Sequence, residues 1–419
     1  MTTAITPAAT DRLEPRTAVW VFMAFAAAYF CSALVRAITA TLSPVLTQDF
    51  GLQARDLGLL AGGYFLGFAA MQLPLGTWLD RYGPKRVIVC FLSLAVLGCL
   101  AFSVATSFAW LLAARVLVGM GVSACLMAPL TGFRRWLSGG ALLRANSWML
   151  MTGSLGMLAS TLPVQWLMPL TGWRPLFWIL AALTGLAMLL IWWLVPVWRL
   201  APSGGPAAGL DLAAPSYAEV WRSRYFQKMS PLAFFNYSSL VAIQTLWAGP
   251  WMLRVAGYTP LESATGLFFI NAAMLVTFWA WGMFNPALLR LGWSSDRLIT
   301  WIVPLSLLVL AVNIAGGSAT GWLGWALFCM TSSVMGLAQP AVGMAFAPSL
   351  AGRALSAYNL VIFAGIFVVQ WGIGLLVDAF KTAGFSEVAS FQAAMAILLC
   401  CCTASYAYFL RVKADNSPQ

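Results

Sequence analysis

The sequence contains no histidine, and only 8% of its 419 residues are charged. The first absence removes the usual neutral-pH acid–base group and the commonest metal ligand. The second sets the chain apart from soluble globular proteins, in which roughly 25% of residues are charged. Acids are scarcer than bases: the twelve Asp and Glu fall in tails, in gaps between apolar runs, or at the ends of those runs. An intramembrane enzyme needs a nucleophile with a base, or a set of metal ligands, and the sequence offers neither. The chain is therefore read as a non-enzyme with no cofactor and no metal. Its eight cysteines lie almost entirely inside apolar runs without CxxC spacing, so they are expected as buried thiols. Cys400, Cys401 and Cys402 fall on three different helix faces, which excludes a joint metal site.

What the chain has in abundance is apolar surface: 61% hydrophobic residues and a mean hydropathy of +0.85. A bilayer fits that composition. Each crossing takes about 20 apolar residues in a helix, because lipid satisfies no backbone polar group. Twelve such runs are expected. The first six lie near 18–43, 57–79, 86–106, 109–132, 145–168 and 174–196, and the second six near 229–253, 263–284, 298–315, 321–344, 355–379 and 390–410. The only long hydrophilic stretch is 197–228, with Ser203-Gly204-Gly205-Pro206 and then Glu219, Arg222, Arg224 and Lys228. The expected plan is a tail (1–17), a six-helix bundle (18–196), a cytoplasmic linker (197–228), a second bundle (229–411) and a short tail (412–419). An uncleaved cytoplasmic N-terminus is expected, since no short apolar stretch ends in a small-residue cleavage site.

The net charge of +11 forms no basic stripe, so nucleic acid is not an expected partner. It is distributed by side. With the N-terminus inside, the outer gaps hold only Arg55, Arg174, Arg254 and Lys381, Arg36 and Arg115 lie within runs, and the remaining seventeen Lys and Arg are cytoplasmic. That bias predicts a multi-pass cytoplasmic-membrane protein, the inner membrane in a two-membrane cell, with both termini cytoplasmic.

Between the second and third runs stands Gly76-Thr77-Trp78-Leu79-Asp80-Arg81-Tyr82-Gly83-Pro84-Lys85-Arg86. It resembles the loop signature G-x-L-x-D-R-x-G-R-[RK] of major facilitator transporters, departing at Trp78 and Pro84. In the fourth run, Arg115-Val-Leu-Val-Gly119-Met-Gly121 is similar to the family's R-x-x-x-G-x-G pattern, and Gly172-Trp173-Arg174 before the sixth is also family-like. The resemblance covers nearly the whole chain. It implies an all-α fold of two six-helix bundles that work by alternating access, with gating roles for Asp80, Arg81, Gly83 and Lys85. The matching loop of the second half, around Gly282 to Arg297, is degenerate and lacks the Asp at the expected place, so a symmetric lock is not expected. Arg115 admits a functional reading, conformational coupling, and a structural one, in which it snorkels or binds a backbone carbonyl.

Arg36 lies inside the first run, on one helical stripe with Tyr29 and Ser32 and eight residues before Pro44. No carboxylate near it in sequence lies at membrane depth; Asp378, near the outer end of the eleventh run, is the only marginal acid. A guanidinium is a fork suited to oxyanions. The segment from Tyr29 to Pro44 resembles the first helix of the anion:cation symporter and organophosphate antiporter branches, where the matching arginine binds the substrate's carboxylate or phosphate. The competing reading has Arg36 bonded to helix carbonyls or turned toward headgroups.

Asn236, Gln244, Asn271 and Asn359 are the further candidate substrate contacts, with Gln339, Gln370, Trp247 and Trp371 at similar depth; helix–helix hydrogen bonding is the alternative for each. The drug-antiporter block G-x-x-x-G-P-x-x-G-G is missing from the fifth run, and no glycine-rich nitrate signature is present. The expected function is secondary transport of a small organic anion such as a carboxylate, by symport or antiport with a proton or counter-anion, by a monomer in the bilayer. The alternative is a proton-coupled carrier for neutral or drug-like solutes.

Overall fold

The computed structural model describes residues 12–197 and 217–412. The Ser203–Pro206 stretch of the expected linker, and the tails at 1–11 and 413–419, lie outside the described residues. Among the described residues there is no strand. The first half comprises α1 (Pro15–Phe50), α2 (Ala54–Ala70), α3 (Gln72–Ser103), α4 (Phe108–Val122), α5 (Ala124–Trp136), α6 (Gly139–Ala159), α7 (Leu162–Thr171) and α8 (Trp173–Leu194). The second comprises α9 (Tyr217–Arg222), α10 (Arg224–Leu232), α11 (Ser238–Ala242), α12 (Ala248–Arg254), α13 (Pro260–Arg290), α14 (Ser295–Gly316), α15 (Trp322–Ser332), α16 (Ala338–Met344), α17 (Pro348–Thr382) and α18 (Glu387–Arg411).

Nine helical segments among the described residues are long and apolar enough to cross a bilayer. The other three expected runs are helical but interrupted. The second is divided between α2 and the start of α3, and the fifth breaks at Ser160-Thr161 between α6 and α7. In the seventh, two π-helical turns, Ala233–Tyr237 and Ile243–Trp247, separate α10, α11 and α12. Such π turns recur at functional positions in helices.

Local chemistry sets the joints. α1 stops at Gly51, which adopts φ 62° and donates its N–H to the Thr47 carbonyl. Gln53 and Asp56 form a reciprocal cap on α2. Within α3 the chain turns at Gly83, φ 78° and ψ 164°, a conformation open to glycine and strained for a residue with a Cβ. Asp80 and Arg81 stand exposed beside that turn, while Lys85 lies over the Trp192 ring at 5.4 Å. Thr259 and Glu262 cap the start of α13 reciprocally.

The halves meet where α2 runs along α17, where α1 crosses α12, and where α6 and α7 meet α13. Two buried apolar clusters fill the interior. One is mainly in the first half, and the other, in the second half, takes in Ala40, Leu57 and Ala61 from the first. Trp247, Trp251 and Trp325 are fully buried in the second cluster, so these indoles are core and not interfacial belt.

Candidate substrate site

Arg36 is half-buried on α1, with Tyr29 on α1, Tyr64 on α2 and Tyr237 in the first π turn of the second half near enough for their phenols to act on its charge. No carboxylate is among its partners. Ion pairs such as Arg55–Asp56, Lys228–Asp296 and Lys381–Glu387 do not involve it. Asp49 accepts from the Trp173 indole at 2.7 Å, and Asp56 caps α2, so neither neutralises Arg36. Its Nε is buried without a hydrogen-bond partner, and so is the hydroxyl oxygen of Ser32, one turn earlier on the same stripe. Cys125 of α5, fully buried, lies beside this group. Tyr29 fits because Gly153 of α6 has no side chain: a Cβ there would lie 2.5 Å from the ring.

Behind this group sits Arg115, 1% exposed on α4. Its two terminal nitrogens donate to the Val35 carbonyl at 2.7 Å, the Arg36 carbonyl at 3.3 Å and the Thr39 hydroxyl. Its guanidinium lies 5.3 Å above the Tyr64 ring. Arg115 thus grips the α1 backbone at the residue that carries Arg36. A charged side chain at membrane depth costs roughly 2.5–3.5 kcal/mol on insertion scales, and these bonds offset that cost. The backbone reading of Arg115 is the one the geometry displays. Tyr64 lies under the Arg115 guanidinium with its ring and donates its hydroxyl to the Ser32 carbonyl at 3.5 Å, one turn from Arg36. Sequence reasoning passed over it because a tyrosine in an apolar run has no spacing signature.

The amides expected as substrate contacts are tied elsewhere. Asn236 donates to the Cys402 carbonyl at 3.1 Å and the Ser405 hydroxyl at 2.8 Å, Gln244 to Asn271 at 3.0 Å, and Gln339 to Asn359 at 2.7 Å. Gln370 donates to Thr245 at 2.9 Å and accepts the Trp247 indole at its carbonyl at 3.1 Å. Asn236, Gln244, Asn271 and Asn359 are each no more than 6% exposed. Gln244 with Asn271 and Gln339 with Asn359 are thus amide pairs across helices of the second half, while Asn236 bonds a carbonyl and a hydroxyl of α18, the helix–helix bonding open to each of them. Trp371 is only partly buried and lies 5.7 Å from Phe367.

Two cavities open at the end of the molecule that carries the α1–α2 turn. One, about 330 Å³, is lined by residues including Thr47, Trp247, Arg254 and Asp378. The other, about 360 Å³, is lined by residues including Pro44, Gln48 and Arg254. Arg36 lines neither. At the opposite end Asp296 accepts from Tyr225 and Lys228, both at 2.7 Å, and fastens α10 to α14. Burial first, then the Asp296 carboxylate, pushes the Tyr225 hydroxyl above the ordinary phenol range, so it remains a donor.

Residues 25–370 match the family model for the Major Facilitator Superfamily. The chain belongs to that superfamily. As a superfamily member it shares 28% identity with a gallate transporter of Pseudomonas putida, over 74% of each chain. It is 31% identical to a 4-hydroxybenzoate transporter of Pseudomonas aeruginosa over 35% of this chain and 33% of that one. A bacterial homologue of the human lysosomal transporter Spinster, in an inward-facing and unoccupied conformation, superimposes with a TM-score of 0.74 at 18% identity, covering 95% of this chain and 97% of that one. This likeness extends the major facilitator fold over nearly the full length. In this superfamily member Asp80 of the Gly76–Arg86 loop makes no ion pair among the described residues.

Proposed function

We propose that the chain is a secondary transporter of a small organic anion, specifically an aromatic carboxylate, moved by alternating access of two bundles, 18–196 and 229–411. The single observation that carries this is the Arg36 guanidinium, held among three phenols with no acid beside it and with Nε free. Such a fork binds a carboxylate in two hydrogen bonds. The surrounding rings and hydroxyls suit a flat, hydroxylated aromatic body. The gallate and 4-hydroxybenzoate transporters among its relatives support that class. Tyr237 matters because its phenol lies near enough to Arg36 to act on its charge from the second half, which sets a ligand at Arg36 between the halves. Transporter sites lie between repeats in this way. Arg115, gripping the α1 backbone, carries any shift of the anchored ligand into α4 and is the coupling residue of this reading. Asp80, Arg81, Gly83 and Lys85 form the cytoplasmic gate. The charge bias supports both termini, and that gate, on the cytoplasmic side of a cell membrane.

The test is counterflow in proteoliposomes loaded with unlabelled hydroxybenzoate. Labelled hydroxybenzoate is expected to accumulate transiently, with the exchange surviving a protonophore and lost in Arg36→Ala. Uptake of neutral solutes only, unaffected by Arg36→Ala, would transfer the reading to the proton-coupled carrier for neutral or drug-like solutes.

A further inference from the structure

The start of α2 is not completed by its own chain alone. The first N–H groups of any helix lack intrahelical partners. Here the Gln53–Asp56 cap satisfies Gln53, and the N–H groups of Ala54 and Arg55 reach across the molecule instead. They donate to the two carboxylate oxygens of Asp378 on α17, at 3.2 Å and 2.8 Å, from a residue more than 320 positions away in the other half. The Arg55 side chain takes no part and lies 3.7 Å from Asp56. A carboxylate on a helix N-terminus gains both the charge-assisted bonds and the helix dipole. Backbone contact reinforces it: a Cβ on Gly374, one turn before Asp378, would collide with the Ala54 carbonyl, and one on Gly58 would lie 2.5 Å from the Gln370 carbonyl. The helices touch without side chains between them at the same end where Asp378 closes.

We infer that Asp378 and the α2 N-terminus form the extracellular latch of the transport cycle, closed here and broken whenever the outer mouth opens. The bonds join the two halves, so any motion that separates α2 from α17 at this end exposes two N–H groups and one carboxylate to water. Water replaces those bonds at small net loss, which suits a contact that must open in every cycle. A second acid, Asp80, lies beyond α2 in α3, near the turn at Gly83; it is exposed and makes no ion pair among the described residues while Asp378 is engaged. The latch works through backbone amides and so acts as a gating contact at Asp378.

Hydrogen exchange of the full chain, without substrate, tests this independently of which solute is carried. Asp378→Ala is expected to speed exchange about tenfold or more at Ala54 and Arg55 and along the facing α2–α17 segments through Gly62 and Gln370. Gly374→Ala, which forces the same ends apart by contact, is expected to give the same pattern, and it serves if Asp378→Ala does not fold. Faster exchange confined to Ala54 and Arg55 would reduce Asp378 to a static cap and overturn the latch. Unchanged exchange in both variants would overturn it equally.

Discussion

A guanidinium kept at membrane depth without a carboxylate must be held by something, and around Arg36 that something is aromatic hydroxyl. Tyr29 and Tyr64 approach from the first half and Tyr237 from the second. Their phenols lie about the fork without neutralising it, which a paired acid would do. Tyr64→Phe removes the hydroxyl beside Ser32 and Arg36 and should therefore weaken substrate binding up to about tenfold, the worth of one hydrogen bond, while leaving the folded yield unchanged. The KM of uptake in proteoliposomes measures this. Arg36→Lys keeps the charge and loses the fork, so its KM should fall between wild type and Arg36→Ala. Arg115 belongs to a different class. Its removal leaves the Thr39 hydroxyl and the α1 backbone without their donor in an apolar interior, so Arg115→Ala should lower stability by about 2 kcal/mol or more. Thermal unfolding of the purified protein in detergent reads that loss, and no substrate is needed to see it.

The glycines of α4 decide how closely elements approach. A Cβ on Gly119 would strike the Tyr64 backbone, and one on Gly121 the Ala95 backbone, so the pattern after Arg115 is what lets α4 lie against α2 and α3. Gly119→Val is expected to abolish the monodisperse peak in size-exclusion chromatography, since the collision is with main chain that no rotamer change relieves. This element-level plan was legible in the sequence: apolar runs of bilayer length, the Gly83 turn, and the R-x-x-x-G-x-G stretch all stand where the residues put them. The interruptions were not. The π turns around Asn236 and Gln244 leave no mark in composition, because a single extra residue per turn changes neither hydropathy nor propensity. The amide pairing was hidden for a related reason. Gln244 with Asn271, and Gln339 with Asn359, are partners by packing between helices, and a lone chain does not display which faces meet.

For the whole molecule, the charge bias and the latch define a direction. The end with Asp378, Arg254 and Lys381 faces outward in this account, and the end with the Gly83 turn faces the cytoplasm. Alkaline phosphatase fused after residue 320 should be active, and the same fusion after residue 412 inactive; the reverse pattern would invert the orientation. Everything else about function depends on the charge at Arg36. The most direct measurement is calorimetric binding of 4-hydroxybenzoate and of its uncharged amide to purified protein. The account predicts that wild type binds the carboxylate at least a hundredfold more tightly than the amide, about 3 kcal/mol, and that Arg36→Ala abolishes the difference. Equal affinity for the acid and the amide in the wild type would contradict it.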